Sequence, residues 1–350
     1  MEKTKEIDTV LDIFIRTNSG GEPLSFSDLL MSITTAHWKS DARKEIPDVV
    51  DKVFKIGVPG FVIDKDLVLK ACLILLNDSI NFKVGNFDQS RVVLFEDNWD
   101  RIKSSILAAF KLIADLGFNN QNFKAKNAIL PIVYYLYHKG IEDEINNPAK
   151  HKEDKRLIQR WLCLSVLKGV FGGHADTILS SIRKVVKAEI SKQEGGAHFP
   201  LAAIKEEFKG NPAKSLSFDD EFIEGLLNTQ KDASDCYAIL SLIYSHFNFT
   251  VQPFHKDHLH PASYFRHLKK SDFNSEEDYQ FYSNPENWNG VANLQLLNGS
   301  LNQSKLDTPL QEWVRKNKID ISGQLIPNIS LEPSEFRAFI TERRSMLKNI

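Results

Sequence analysis

Cysteine is scarce in this sequence, with three residues in 350. Cys72, Cys163 and Cys236 lie far apart within apolar helical patterns, so we predict buried thiols in a reducing compartment, without a disulfide framework or a zinc site. A long apolar run is also missing, because the longest, Leu67 to Leu76, is interrupted by Lys70 and is too short to span a bilayer. The charged N-terminus has no apolar core behind it and is not a secretory signal. These absences predict a cytoplasmic protein with no membrane partner.

An excess of positive charge is missing as well. The chain has 44 Lys and Arg against 46 Asp and Glu, for a formal net charge of −2. Residues 251–350 hold twelve of each sign. Nucleic-acid binders usually show a basic footprint. Any DNA affinity must therefore come from a local patch, a bound metal or another domain.

Most of the remaining pattern predicts helices. From about residue 45 to 245, apolar residues recur at helical spacing between polar links. One such helix ends near Gly117, another has Pro131 in its first turn and Gly140 after its end, and a third runs from Cys236 to Phe247. The spacing is irregular, which favours a bundle over a solenoid. We predict three regions, at residues 1–45, 46–247 and 248–350.

The pattern changes at Asn248. Residues 249–254 are short and β-prone, a polar loop follows at about 270–290, residues 291–297 read as extended, and a helix is expected at 300–305. Helices at 309–316 and 333–349 complete the region. Strand, loop, strand and helix is the order of a ββα-metal unit. The predicted fold class is therefore mainly α, a helical bundle with a small ββα-metal unit near residues 248–306.

The chemistry expected of this region is phosphodiester hydrolysis with one divalent cation, Mg²⁺ or Mn²⁺. Mg²⁺ prefers oxygen ligands and keeps several waters, so Asp257 and the amide oxygen of Asn302 are sufficient protein ligands. His258 is mostly neutral near pH 7 and can act as general base. Asn293 is predicted to fix the loop that carries His258, and Lys305 to face the phosphate.

Plainer interpretations stay open for several of these features. His255 and His260 form either a metal-binding tract or surface polarity, and the Asn-rich tail is compatible with ordinary turn chemistry. Aromatic residues at helical or strand spacing favour core packing over base stacking; they are Tyr134, Tyr135, Tyr137, Phe247, Phe249 and Phe254.

The combination of motifs resembles a known nuclease core. The segments that carry the resemblance are Asp257-His258-Leu259-His260-Pro261, Gly290 to Leu297, and Asn302-Gln303-Ser304-Lys305. Together they look like the His-Me finger (HNH) nuclease core and, more closely, the family DUF1524. The resemblance implies His258 as base, Asp257 and Asn302 as metal ligands, and Asn293 as the loop-fixing residue. The chain departs from the family at Gly290, which stands three positions before Asn293 and not directly before it.

The N-terminal segment from Ile13 to Ser25 resembles the Phe-x-Arg-x-Asn-x-x-Gly-x-x-Leu segment of the DUF262 family, which commonly accompanies DUF1524 in modification-dependent restriction and phage-defence systems. That family carries a ParB-like nucleotide-binding part upstream, and its Asp-Gly-Gln-Arg type motif is missing here. The resemblance therefore implies a split or truncated member with a ParB-like partner or missing half. Taken alone, Asn18 to Gly21 is either an anion-binding loop or a flexible turn, and Arg16 contacts phosphate or forms an ion pair.

The sequence thus predicts a metal-dependent endonuclease that acts on DNA, in restriction of foreign or modified DNA. Two alternatives remain. One is a catalytically silent module, derived from such a nuclease, that binds DNA or a partner protein. The other is a nuclease whose substrate is RNA, which the site chemistry does not exclude.

Overall fold

The computed structural model describes residues 26–77, 79–80, 86–173, 175–192 and 198–349. The segment that resembles DUF262, with Arg16 and the Asn18–Gly21 loop, lies outside these residues. The described part of the chain is mainly helical and contains one two-stranded antiparallel sheet. None of its helices has the length and apolar character needed to cross a membrane.

The chain divides into two compact units. The first comprises Met1–Ala114, Ala125–Ile158 and Val170–Gly210, and the second comprises Asp115–Lys124, Gln159–Gly169 and Asn211–Ile350. The boundary expected at residue 247 falls inside the second unit, because residues 211–247 group with the segment that follows them.

The described part of the first unit contains helices and no β-strand. Its helices, the seventh of which continues into the second unit, are α1 (Phe26–His37), α2 (Ala42–Phe54), α3 (Lys65–Leu76), α4 (Gln89–Asp97), α5 (Trp99–Asp115), α6 (Leu130–Lys139), α7 (Lys152–Leu167), α8 (Ala175–Lys192) and α9 (Leu201–Phe208), with a 3-10 turn at Lys126–Ile129.

Local sequence explains where many of these helices begin and end. The Asp64 side chain accepts a hydrogen bond from Leu67 N at 2.9 Å, which caps the start of α3. Pro131 stands in the first turn of α6, and Gly140 ends that helix with a φ of 70°, a conformation that glycine adopts without strain. Tyr134 and Tyr135 on α6 are buried, as expected for core residues.

The second unit contains the sheet. Its elements are α10 (Asp220–Leu227), α11 (Cys236–Ile243), β1 (Phe254–His258), α12 (Ala262–Arg266), α13 (Glu276–Ser283), α14 (Pro285–Trp288), β2 (Leu294–Asn298), α15 (Gly299–Lys305), α16 (Leu310–Asn317) and α17 (Phe336–Lys348), with 3-10 turns at Lys270–Asp272, Val291–Asn293 and Pro333–Glu335.

Strand β1 pairs with β2 in antiparallel register, so that Asp257 lies opposite Gln295 and His258 opposite Leu294. Helix α15 follows β2 directly and packs against both strands. Helix α11 packs against β2, and α17 packs against the turn Val291–Asn293. The two strands and α15 are therefore held in place by helices that come earlier and later in the chain.

Four expectations for this unit were wrong in their bounds. The segment expected to be extended at 291–297 begins with the 3-10 turn Val291–Asn293, and β2 starts at Leu294. The polar loop expected at 270–290 contains α13 and α14, because the Ser275 hydroxyl accepts a hydrogen bond from Asp278 N at 3.0 Å and three acidic residues occupy the first turn of α13. The strand expected at 249–254 begins at Phe254, while Phe249 is buried against other aromatic rings. The helix expected to reach Phe247 ends at Ile243.

The second unit has an aromatic core that also includes Leu297 of β2. Trp288 stacks parallel to Phe265 with ring centroids 6.0 Å apart, and Phe336 lies 4.4 Å from Phe265. Leu259, Trp313 and further apolar residues of α16 and α17 belong to the same cluster. Burial of this apolar surface is the main stabilising contribution to the unit.

Candidate active site

The end of β1 carries Asp257 and His258 as sequence neighbours. Successive side chains of a strand point to opposite faces of the sheet. Asp257 accordingly meets Gln295 and helix α15, whereas His258 meets the segment around Lys231 and Asn289. The carboxylate and the imidazole therefore have separate sets of partners.

The Asp257 carboxylate is held by two side chains through one of its oxygens. Its Oδ2 lies 3.0 Å from the Lys305 ammonium and accepts a hydrogen bond from Gln295 Nε2 at 3.1 Å. The Lys305 side chain is fully buried and also donates to the backbone oxygen of His258 at 2.5 Å. Burial lowers the pKa of Lys305, and the Asp257 charge opposes that shift. Lys305 thus ties α15 to the end of β1, and its ammonium is directed at the strand and away from solvent.

The His258 imidazole is 8% exposed and has a polar partner on each nitrogen. Nε2 lies 2.9 Å from Asn289 Oδ1, and Nδ1 lies 3.4 Å from Lys231 Nζ. A carboxamide oxygen only accepts hydrogen bonds, so Nε2 carries the proton and Nδ1 carries the lone pair. Burial, followed by the Lys231 charge, lowers the pKa of His258 to about 4. The ring is therefore neutral at pH 7, and Nδ1 is its basic atom.

Asn293 closes the loop that follows β1. Its Oδ1 accepts from His260 N at 2.9 Å, and its Nδ2 donates to His260 O at 3.0 Å and to Trp288 O at 2.7 Å. The backbone oxygen of Asn293 also accepts from Leu259 N at 2.8 Å. These bonds, made by a fully buried side chain, fix the chain just beyond His258.

The turn that carries Asn293 is anchored from α17. Arg343 is fully buried and donates hydrogen bonds to Ala292 O at 3.0 Å, to Leu325 O at 3.1 Å and to the Tyr244 hydroxyl at 2.8 Å. Backbone oxygens thereby stabilise a buried guanidinium, and three separate segments meet at one side chain.

Asn302 lies on α15, one turn before Lys305, and its side chain is partly buried. No residue in the described part of the chain forms a hydrogen bond with that side chain. Lys305 thus joins Asp257 and His258 by direct contacts, and Asn293 binds the backbone of the two residues that follow His258. Asn302 lies on the same helix as Lys305 without such a contact.

Two oxygens near Asp257 are of the chemical type that a hard divalent cation takes as ligands. Within the described ranges, Asp257 Oδ1 accepts no hydrogen bond, and Gln295 Oε1 is buried without a hydrogen-bond partner. Such oxygens, with water, are the donors that Mg²⁺ prefers. The same ranges hold no group of three His, Cys, Asp or Glu residues suited to a metal, so amide oxygens and water would have to complete the ligand set.

The two flanking histidines differ from each other. His255 is exposed on β1. His260 is 1% exposed, its ring lies 4.5 Å from that of Phe339, and neither ring nitrogen has a hydrogen-bond partner among the described residues. Burial lowers the pKa of His260 to about 3. Of these two histidines, only His255 is accessible from solvent.

Sequence reasoning missed Lys231, Asn289 and Gln295. Gln295 lies directly opposite Asp257 in the sheet, so a correct strand register would have found it. Asn289 stands four positions before Asn293, but an asparagine beside glycine is an ordinary turn signal. Lys231 is a single lysine in the polar segment before α11, and its neighbours in the sequence form no recognisable motif.

Comparison with protein-family models finds no match to this chain, and comparison with curated proteins finds none either.

Proposed function

We propose that this protein is a metal-dependent endonuclease that hydrolyses DNA phosphodiester bonds with a ββα-metal, His-Me finger type of site. The observation that carries the proposal is the double contact of Lys305, which joins α15 both to the Asp257 carboxylate and to the backbone of His258. That contact supports a single site built from the three motifs, since Asn302 precedes Lys305 by one helical turn. DNA as substrate, and a role in restriction, rest on the resemblance to DUF262 and DUF1524.

In the proposed reaction, His258 Nδ1 takes a proton from a water molecule as the water oxygen attacks phosphorus. The bond from phosphorus to the leaving oxygen breaks, and that oxygen takes a proton from solvent. Asn289 holds the imidazole with Nδ1 free of its own proton, and Asn293 holds the backbone beyond it. Asp257 and Asn302 would hold Mg²⁺ or Mn²⁺, which supplies positive charge against the phosphate and the leaving oxygen.

Plasmid nicking with Mg²⁺ or Mn²⁺ tests this proposal. His258→Ala should reduce the nicking rate at least about 100-fold, since general base catalysis contributes about that much or more. His255→Ala is the matched control, because it removes an exposed imidazole three residues earlier on the same strand and should keep wild-type activity. Thermal unfolding checks that both variants fold. The proposal would be contradicted by wild-type nicking rates in His258→Ala, or by the absence of nicking by the wild type with either metal.

One observation favours a second function, a silent binding module. His258 Nδ1 faces an ammonium group, so the basic atom is not open to water in this arrangement. A module of this kind would bind duplex DNA or a partner protein and show no metal-dependent nicking. Matched DNA and RNA substrates in the same assay also decide which polymer is cut.

A further inference from the structure

Lys231 is held against the proposed site by its backbone. Its N–H donates to Asn289 O at 2.9 Å, and Val291 N donates to Thr229 O at 2.9 Å, so residues 229–231 pair with residues 289–291. Lys256 on β1 donates from its ammonium to the Lys231 carbonyl. The position of Lys231 is therefore fixed by the same loop that orients the His258 imidazole.

The ammonium of Lys231 has no anionic partner in the part of the chain that the structure describes, since no carboxylate lies within ion-pair distance of it. Among the described residues, the polar contact of this ammonium is with His258 Nδ1, at 3.4 Å. Burial lowers the pKa of Lys231, and the charges of Asp257 and Asp232 oppose that shift without forming an ion pair. Asp257 is itself already paired with Lys305. A partly buried cation without a counter-ion is costly unless a ligand supplies the negative charge.

We propose that Lys231 binds a non-bridging oxygen of the scissile phosphate and that, before substrate arrives, it caps the basic nitrogen of His258. This inference rests on the proposed nuclease function and adds a substrate-binding residue to it. The lysine side chain is a flexible stem with a compact charge, so its ammonium can leave a weak neutral acceptor for an anionic oxygen. Charge-assisted hydrogen bonds are shorter and about twice as strong as neutral ones.

Substrate binding and activation of the base are coupled in this arrangement. A phosphate that draws the ammonium away from Nδ1 leaves that nitrogen free to accept a hydrogen bond from water. Because the Asn289 contact is on the other nitrogen, the ring keeps its orientation while its partner changes. His258 is then competent as a base only when a phosphodiester is in place.

Salt-dependent binding, measured without metal, tests the phosphate contact separately from cleavage. The probe is a 20-base-pair duplex of mixed sequence in EDTA, titrated over a range of salt concentrations. Each phosphate contact contributes about 0.9 to the slope of log K against log salt. Lys231→Met should lower the slope by about that amount, whereas Lys231→Arg, which keeps the charge, should keep it. Lys316→Met, which removes an exposed charge from α16, is the matched control.

Nicking rates of the same variants with Mg²⁺ complete the experiment. Lys231→Met should lose at least tenfold in kcat, Lys231→Arg should recover part of that loss, and Lys316→Met should be unchanged. Thermal unfolding identifies a variant that fails to fold, and Lys231→Gln then replaces Lys231→Met.

The possible failures can be told apart. An unchanged slope and rate in Lys231→Met, with an active wild type, would overturn the role of Lys231 and leave the nuclease proposal standing. A reduced slope with a wild type that never nicks would keep Lys231 as a phosphate contact and overturn the nuclease. A wild type that binds no duplex at low salt would overturn the inference.

Discussion

Asp257 and His258 are consecutive residues of β1, and each faces the ammonium group of a different lysine. Lys305 lies 3.0 Å from the Asp257 carboxylate, and Lys231 lies 3.4 Å from the His258 imidazole. Lys256 on the same strand adds a third positive charge nearby. These three lysines lie close together in a chain whose formal net charge is −2, and the carboxylates of Asp232 and Asp307 act on Lys231 and Lys305 as well. A nearly balanced overall charge therefore coexists with a local cluster of lysines beside β1.

Lys305→Met should be strongly destabilising. The substitution removes the ion-pair partner of Asp257, whose carboxylate is largely buried, and it leaves the His258 carbonyl without its donor. Breaking a buried ion pair by removing one partner costs about 3 kcal/mol or more. Urea unfolding measures the change in the free energy of unfolding. The double variant Asp257→Asn/Lys305→Met is the control, since it removes the unpaired charge as well and should recover part of the loss. Equal stability of the single and double variants would show that the pair is not coupled.

Asn293→Ala and Asn302→Ala should separate a positioning role from a metal-binding role. Asn293 makes three buried hydrogen bonds, so its loss should cost about 3 kcal/mol and also reduce nicking. Asn302 has no hydrogen bond within the described ranges, so Asn302→Ala should keep wild-type stability and lose metal-dependent nicking. Urea unfolding and Mn²⁺ titration of nicking measure the two effects. A large loss of stability in Asn302→Ala would contradict the assignment.

Acid should destabilise this protein through His260. Burial lowers the pKa of His260 to about 3, from 6.5 for an exposed histidine. Between those values the unfolded chain binds a proton at His260 and the folded chain does not, so the free energy of unfolding falls as pH decreases below 6.5. The loss is about 1.4 kcal/mol per pH unit for one such group.

Urea unfolding at pH 6.5 and pH 4.5 checks this expectation in the wild type and in His260→Phe. Phenylalanine suits a site already flanked by Phe336 and Phe339. The variant should lose about 2 kcal/mol less than the wild type between these two pH values, because His260 in the unfolded chain is already half protonated at pH 6.5. The same acid sensitivity in both proteins would exclude His260 as the source.

Arg343→Met should lower the free energy of unfolding more than the substitution of the neighbouring residue, Arg344→Met. Arg343 is fully buried with three acceptors, and its loss should cost about 4 kcal/mol because those acceptors remain without donors. Arg344 pairs with Glu224 nearer the surface, so Arg344→Met should cost less than about 1 kcal/mol. Urea midpoints of the two variants give the comparison. Similar midpoints would contradict the anchoring role of Arg343.

The sequence predicts those parts of the structure that depend on local signals. Pro131 and Gly140 mark the ends of α6 because their backbone preferences act within one turn. The segment at 276–283 was expected to be a loop because it is highly polar, although it forms a capped helix. The start of β1 was misplaced because it depends on pairing with β2, and no local pattern determines that pairing.

In the candidate site, too, the residues within local motifs were predicted and the residues brought in by tertiary packing were not. Asp257, Asn293 and Lys305 were found because their spacing within short motifs is a recognisable signal. Lys231 and Asn289 were missed because they meet His258 only when residues 229–231 pair with residues 289–291, and that contact depends on tertiary packing.

Arg343 links the support of this site to a helix late in the chain. Its hydrogen bonds reach back to Ala292 and Tyr244, which are translated well before it. The strand that carries Asp257 and His258 therefore precedes in the chain the guanidinium that anchors its supporting turn. The turn that carries Asn293 therefore lacks part of its support until α17 docks.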